Sequence, residues 1–278
     1  MNFLKVHGLG NDFILVDGLA DSKAAETAAA NARALCDRHF GIGADGVLLV
    51  LPGARAPLRM RIFNPDGSEA EMCGNGIRCF ARYAYEHALA RETTFPVDTL
   101  AGVVYPTLNL KDGKVQSVSV DMGVPRFAAA DIPIDWPNSP VVEQPLSLGN
   151  RTVLVTCLSM GNPHCVVYVD EVKRFPVAEF GPQLENHPAF PNRTNVEFAQ
   201  VFNTKEVRAR VWERGVGETL ACGTGASAIT VASALTKRTS REVKVTLPGG
   251  SLQLAWREND HVIMTGPAEY VFEGRIVL

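Results

Sequence analysis

Arg61-Ile62-Phe63-Asn64, with Glu69 and Met72-Cys73-Gly74-Asn75-Gly76, is written a second time as Arg210-Val211-Trp212-Glu213, with Glu218 and Ala221-Cys222-Gly223-Thr224-Gly225. The two copies superimpose without a gap, 149 residues apart, and match Arg61 to Arg210, Glu69 to Glu218, Cys73 to Cys222, Gly74 to Gly223 and Gly76 to Gly225. Each copy reads strand, loop, Cys-Gly-x-Gly, helix. Two equivalent cysteines at two equivalent helix starts point to one site with a sulfur on each side.

The rest of the chain repeats around them. Residues 3–17 read as two apolar strands about a Gly/Asn turn, a hairpin. Val153 to Leu158 and Val166 to Val169 flank Ser159-Met-Gly-Asn-Pro-His164 in the same manner, and Gly10-Asn11 and Gly161-Asn162 lie at nearly the motif offset. Residues 24–38 predict one alanine-rich helix. Gly46 to Leu51 predicts a buried strand, and Arg59 to Phe63 and Glu206 to Trp212 predict half-exposed ones. Ile77, Phe80, Ala81, Ala84 and Ala88 fall on one face of a helix after Cys73. Gly223 to Leu235 predicts a helix with no consistently polar face, one wrapped by protein on all sides. Thr93 to Val120 predicts three strands, and Pro125 to Leu148 an irregular connection. Val243 to Trp256, His261 to Thr265 and Tyr270 to Leu278 finish the chain as strands.

Composition narrows the function. With 278 residues and 46% hydrophobic content, the chain has the size of two ordinary domains. A net charge of -3 without a basic run argues against nucleic acid as a partner. No apolar run approaches a membrane span, and Met1 to Val6 carries no secretory apolar region. A soluble cytoplasmic protein is expected. The six cysteines form no C-x-x-C pair, so a disulfide framework and structural zinc are both disfavoured. Cys36, Cys79, Cys157 and Cys165 read as small core hydrophobes.

Cys73 and Cys222 read differently. A cysteine at a helix start sits beside unpaired N–H groups and the positive end of the dipole, which should lower its pKa. A carboxylate is the natural guest of such a helix start. Two of them suit inversion of a stereocentre next to a carboxylate, which needs a base on one face and an acid on the other. No metal or cofactor is required, and no dinucleotide or phosphate-loop fingerprint is present.

At these residues the chain resembles the diaminopimelate epimerase family over essentially its whole length. The carrying motifs are His7-Gly-Leu-Gly-Asn-Asp-Phe13, Phe63-Asn-Pro-Asp-Gly67, Met72-Cys-Gly-Asn-Gly-Ile-Arg-Cys-Phe80, Ser159-Met-Gly-Asn-Pro-His164, Glu213-Arg-Gly215 with Gly217-Glu-Thr219, and Ala221-Cys-Gly-Thr-Gly-Ala226. The resemblance implies an α+β fold of two pseudo-symmetric domains, each a strand-rich barrel around a central helix, with the active site in the cleft between them. The boundaries expected are 1–122, joined by the C-terminal strand 268–278, and 123–267. It implies a cofactor-independent homodimer acting on a small amino acid, the interconversion of L,L- and meso-diaminopimelate for lysine and peptidoglycan. It makes Cys73 and Cys222 the acid/base pair, with His164 and Glu213 in support. Gly74, Asn75, Gly223 and Thr224 become donors to the reacting carboxylate, and Asn11, Asn64, Asn162, Asn195, Glu213 and Arg214 hold the rest of the substrate. One departure is visible: some members carry Gln where this chain has Gly46. The alternatives are a proline or hydroxyproline racemase, a thiol-dependent hydrolase with Cys73 as nucleophile and His164 as base, and a non-catalytic amino-acid-binding protein.

Overall fold

The structure, a computed structural model, describes residues 1–277. The chain divides into two units, the first Met1–Asp121 with the segment from Thr265 onward, the second Met122–Met264. Along the first run lie β1 (Asn2–Gly8), β2 (Asn11–Asp17), α1 (Ser22–Ala30), α2 (Ala32–Cys36), β3 (Gly46–Pro52), β4 (Leu58–Phe63), β5 (Glu69–Ala70), α3 (Gly74–Glu86), β6 (Val97–Thr99), β7 (Gly102–Val104), β8 (Thr107–Lys111) and β9 (Lys114–Asp121). The second unit carries β10 (Gln144–Leu148), β11 (Arg151–Ser159), β12 (Pro163–Tyr168), α4 (Val177–Glu185), β13 (Asn195–Asn203), β14 (Glu206–Glu213), β15 (Gly217–Thr219), α5 (Gly223–Leu235), β16 (Glu242–Leu247), β17 (Gly250–Trp256) and the start of β18 (Val262–Gly266), whose end from Thr265 onward belongs to the first unit. The last strand, β19 (Glu269–Arg275), pairs antiparallel with β1 in the first unit.

Each unit repeats one topology. In the first, β1 and β2 are antiparallel, β2 and β3 parallel, β3 and β4 antiparallel, β4 and β6 parallel, β6 and β7 antiparallel, with β5 on the flank of β4. In the second, β11, β12, β13, β14, β16 and β17 follow in the same alternation, with β15 on the flank of β14. The strand order in each is an open path. The barrels expected from the resemblance are thus open sheets curled over a helix, in a mixed α+β fold.

Strand alternation decides what each helix packs on. Along β3, Val47 and Leu49 join Ala24, Ala28 and Leu35 in the core under α1 and α2, while Leu48 faces α3 at Gly76. Along β13, Val196 and Phe198 join Val177, Phe180 and Leu184 of α4, while Glu197 faces α5 at Gly225. Each third strand is therefore covered on both sides. Its middle is fully buried, as its unbroken apolar run requires in unit 1.

Several expectations shift. The helix over 24–38 is two helices broken at Asn31, whose φ of -112° and ψ of 18° are not helical. The apolar face of α3 ends at Ala84; Ala88 lies past the C-cap with φ 57°. Between Thr93 and Val120 there are four strands: besides the turns at Gly102 and Gly113, Tyr105-Pro106 breaks the run between β7 and β8. The stretch 125–148 is less a connector than a wall. Ile132, Ile134, Val141, Leu146 and Leu148 are buried in the core of the second unit, and β10 is its last segment. α4 and β13 had no sequence signal that singled them out; Pro182 inside α4 conceals the helix. α5 is enclosed as expected, with every residue from Gly225 to Ser233 buried.

Candidate active site

Cys73 and Cys222 are the N-cap residues of α3 and α5, in extended backbone conformation at φ -138°, ψ 121° and φ -126°, ψ 116°. Each sulfur accepts from the N–H of the third helical residue, Gly76 to Cys73 at 3.5 Å and Gly225 to Cys222 at 3.3 Å. The N–H groups of Gly74, Asn75, Gly223 and Thr224 belong to the first turns and have no acceptor within their own helices. Behind each motif the repeated pair closes a bidentate bridge: Arg61 to Glu69 at 2.7 and 2.7 Å, Arg210 to Glu218 at 2.6 and 2.8 Å. These bridges pin β5 to β4 and β15 to β14, the strands that deliver the chain to each cysteine.

In the first unit the hairpin asparagine meets the cysteine. The turn Leu9–Gly10 has φ of 57° and 83°, both left-handed as a two-residue hairpin loop requires. It leaves Asn11 at the head of β2. Asn11 Oδ1 accepts from Cys73 Sγ at 3.7 Å and from Asn75 Nδ2 at 3.1 Å. Asp45 fixes that amide from behind, accepting from Asn11 Nδ2 at 3.0 Å and from the Asp12 N–H at 3.0 Å. Arg78, fully buried, donates to Asn75 Oδ1 and to the Gly74 carbonyl, both at 2.9 Å, and so locks the first turn of α3. Asp45 and Arg78 were not among the residues expected. Arg78 was hidden because an arginine one turn into a helix reads as surface, and Asp45 because the loop before β3 lacks a counterpart motif. Asn64 stays at its turn after β4, donating to Ser68 Oγ at 3.0 Å.

The second unit answers with different groups. Asn162 Nδ2 donates to Thr224 Oγ1 at 3.3 Å, and Thr224 Oγ1 lies 3.5 Å from Cys222 Sγ. His164 is wholly buried, with Nδ1 2.7 Å from Glu197 Oε1 and Nε2 2.9 Å from Asn162 Oδ1. Glu213 accepts the Thr219 hydroxyl on Oε1 at 2.6 Å. Asn195 is spent on the backbone. Its amide donates to the Pro163 carbonyl at 2.8 Å and its oxygen accepts the Arg214 N–H at 2.9 Å, which ties the turn before His164 to the end of β14. Arg214 is exposed, with one Nη on the Asn192 carbonyl at 3.2 Å. Glu197 and Thr219 were missed by sequence reasoning, Glu197 because it sits in an otherwise apolar strand.

The expected fall in cysteine pKa does not hold at Cys222. Burial raises its pKa well above the usual thiol range, and the Glu213 carboxylate adds to the effect. The Thr224 hydroxyl and the Gly225 N–H pull the other way and lose. At the end of a helix the dipole is worth a fraction of what full burial removes. Cys36, Cys79, Cys157 and Cys165 are buried core residues as expected, and burial pushes the Cys79 thiol up to about 12. Two surface cavities of about 600 and 610 Å³ contain none of the candidate residues. Among the described residues no cluster of His, Cys, Asp and Glu has the makings of a metal site, and no helix is long and apolar enough to cross a membrane.

The fold is shared with several solved structures. A phenazine biosynthesis protein of the PhzF family from Bacillus anthracis is similar with a TM-score of 0.70 over 100% of this chain and 99% of its own, at 18% identity. A hydroxyproline epimerase from Agrobacterium vitis, with bound trans-4-OH-L-proline, is similar at 0.69 over 99% and 91%, also at 18% identity. At that identity the likeness fixes the architecture and nothing more. Sequence goes further: the family model for diaminopimelate epimerase matches residues 3–128 and 156–271. The diaminopimelate epimerase of Moorella thermoacetica is 56% identical over 99% of this chain and 98% of its own, and that of Pelotomaculum thermopropionicum 52% over the same shares. The chain belongs to the diaminopimelate epimerase family, and is an enzyme of the amino-acid epimerase class.

Proposed function

We propose that the protein converts L,L-2,6-diaminopimelate to the meso form without a cofactor, on the route to lysine and peptidoglycan precursors, with Cys73 and Cys222 as the two proton carriers. The observation that carries this reading is that each unit, by itself, builds the same device: a cysteine capping a helix, its sulfur tied to the third N–H, with a hairpin asparagine reaching the second helical side chain. A binding protein would need the helix starts but not the sulfurs. A hydrolase would need one sulfur.

The chemistry follows from the groups. Removing the α-hydrogen leaves a carbanion whose charge spreads onto the adjacent carboxylate. The first-turn N–H groups of Gly74, Asn75, Gly223 and Thr224 are donors suited to that developing charge. One thiolate takes the hydrogen and the opposing thiol returns one to the other face. Burial and Glu213 favour the protonated form of Cys222, which suits it to the role of acid. The distal end of the substrate carries an ammonium and a carboxylate; Arg214, with a planar fork suited to a carboxylate, and Asn64 are the groups assigned to it.

Incubation with L,L-diaminopimelate in heavy water tests the reading. Deuterium at one α-carbon together with meso product is expected. Absence of both rejects the epimerase assignment, and turnover of proline in place of diaminopimelate moves the protein to the racemase group.

A further inference from the structure

The second unit buries a carboxyl group where the first buries a leucine. Glu197 and Leu48 are each the third residue of the third strand of their repeat. Each lies under the third residue of its cysteine helix: a Cβ placed on Gly76 would stand 3.4 Å from Leu48 Cδ1, and one on Gly225 2.9 Å from Glu197 Oε1. His164 likewise stands where the first unit has Phe13, in the same register, since Phe13 pairs with Gly46 and His164 with Asn195. Phe13 and Leu48 show that an apolar pair satisfies this packing. Burying Glu197 and His164 completely in their place costs desolvation that the fold does not require.

The hydrogen count gives the pair a task. An amide oxygen can only accept, so the contact to Asn162 Oδ1 needs a hydrogen on His164 Nε2. The 2.7 Å contact between Nδ1 and Glu197 Oε1 needs a hydrogen of its own. Glu197 Oε2 is buried with no hydrogen-bond partner among the described residues. An ionised carboxylate with an orphaned oxygen costs far more there than a carboxylic acid does. The charges that face Glu197 are His164 on β12, which favours ionisation, and Glu213 on β14, which opposes it; burial, the larger influence, also opposes it.

We infer that Glu197 is a positioning residue for the reaction: as a carboxylic acid it donates to His164 Nδ1, commits His164 Nε2–H to Asn162 Oδ1, and so turns the Asn162 amide hydrogens toward Thr224 and the first turn of α5. Were the hydrogen on Nδ1 alone, Nε2 would present a lone pair and the Asn162 amide would turn over, aiming its oxygen at the place of a carboxylate. The inference rests on the reading of the Cys222 helix start as part of the active site.

The test uses the full-length protein. Glu197→Met fills the same volume without a donor, and Glu197→Gln restores one, since its amide can donate to Nδ1. Glu197→Met should lower kcat/KM by roughly tenfold to a hundredfold, the range expected for one hydrogen bond to a charged group, while Glu197→Gln retains most of the activity. The loss should vanish when Asn162 is already alanine, because the effect passes through that amide. A folded Glu197→Met variant as active as the parent, or a folded Glu197→Gln variant as impaired as Glu197→Met, overturns the inference. So does full additivity with Asn162→Ala. Nitrogen-15 NMR of the labelled histidines, with His164 assigned by loss of its signal in His164→Gln, reads the tautomer without turnover. Hydrogen on Nε2 and an accepting Nδ1 is expected; hydrogen on Nδ1, whether Nε2 is bare or also protonated, overturns the inference. Because that arm needs no substrate, it stands apart from the epimerase reading, which fails only if the parent protein neither exchanges deuterium nor epimerises.

Discussion

The Cys73 thiol points at Asn11 Oδ1, 3.7 Å away, and Asp45 holds that oxygen in place by binding the other end of the same amide. Asp45 also accepts the Asp12 N–H and bridges to Arg38 at 2.7 Å, so it is anchored on three sides. Asp45→Ala frees the Asn11 amide to rotate and removes the acceptor that fixes the thiol. Kinetics should show kcat/KM down by about tenfold, the scale of one charge-assisted hydrogen bond. Unchanged kinetics in a folded variant would show that Cys73 needs no such guide.

How much of this was legible in the sequence varies by element. The Cys-Gly-x-Gly copies located the starts of both helices to the residue, because a cap, a glycine frame and an apolar run agree there. Glu197 was illegible for a physical reason: a single buried polar residue in a strand has no period, and its partner His164 lies 33 residues earlier in the chain. Arg78 was illegible because burial of an arginine is decided by acceptors far along the chain, here the Pro267 carbonyl at 3.0 Å. α4 was lost to its internal proline, which tertiary packing of Val177, Phe180 and Leu184 overrides.

Accessibility and ionisation set the two sulfurs apart. Cys73 is half-buried, whereas Cys222 is buried and held as a thiol by desolvation and by Glu213. Iodoacetamide at neutral pH should therefore label Cys73 before Cys222. Peptide mass spectrometry over a time course gives the order. Glu213→Gln removes one carboxylate beside Cys222 and should speed its labelling. Equal rates at both cysteines in the parent would contradict the assignment of Cys222 as the resting acid. Replacing either cysteine by alanine should abolish epimerisation without unfolding the protein.

Asp12 gives a pH dependence with a definite sign. Burial raises its pKa, but hydrogen bonds from Arg38 and Lys5, with Asp45 alongside, outweigh it and hold the carboxyl down at about 2. The Lys5 ammonium stands 2.6 Å from Oδ2. In the unfolded chain an aspartate titrates near about 3.9. The folded value is the lower one, so the contribution is fully present above the unfolded pKa and is lost as pH falls through about 2. Thermal unfolding of Asp12→Asn against the parent should show a stability deficit at pH 6 that closes as the pH drops below about 4. A deficit constant across that range would remove the ionic contribution.

Glu197 has the opposite sign. Burial raises its folded pKa above that of a free glutamate, about 4.3. Its contribution is then complete below the unfolded value and declines as pH rises through the folded one. Glu197→Gln cannot ionise, so its melting temperature should gain on the parent as pH climbs above the unfolded value, and the two should converge below about 4. Parallel curves would mean that Glu197 titrates alike in both states.

Gly225→Ala separates packing from chemistry at the same place. In an ordinary helix this exchange stabilises by about 0.5–1 kcal/mol. Here the new Cβ would stand 2.9 Å from Glu197 Oε1 and 3.3 Å from Cys222 Sγ, so the carboxyl and the sulfur must both give way. Neither can do so freely: Glu197 is tied to His164, and the sulfur takes the Gly225 N–H itself. The overpacking should cost about 1–3 kcal/mol, enough to cancel the helix gain. Activity should fall further than stability, by about tenfold or more, since displacing Cys222 by a fraction of an ångström misplaces the proposed proton carrier. Gly76→Ala in the first unit is the comparison. Its Cβ would meet Ile62 Cδ1 at 2.8 Å, the mobile end of an apolar side chain, with Leu48 behind it at 3.4 Å. Melting temperatures should drop by similar amounts in the two variants, while kcat falls more in Gly225→Ala. Equal losses of kcat would show that the Glu197 side of the helix start is no more sensitive than its apolar counterpart.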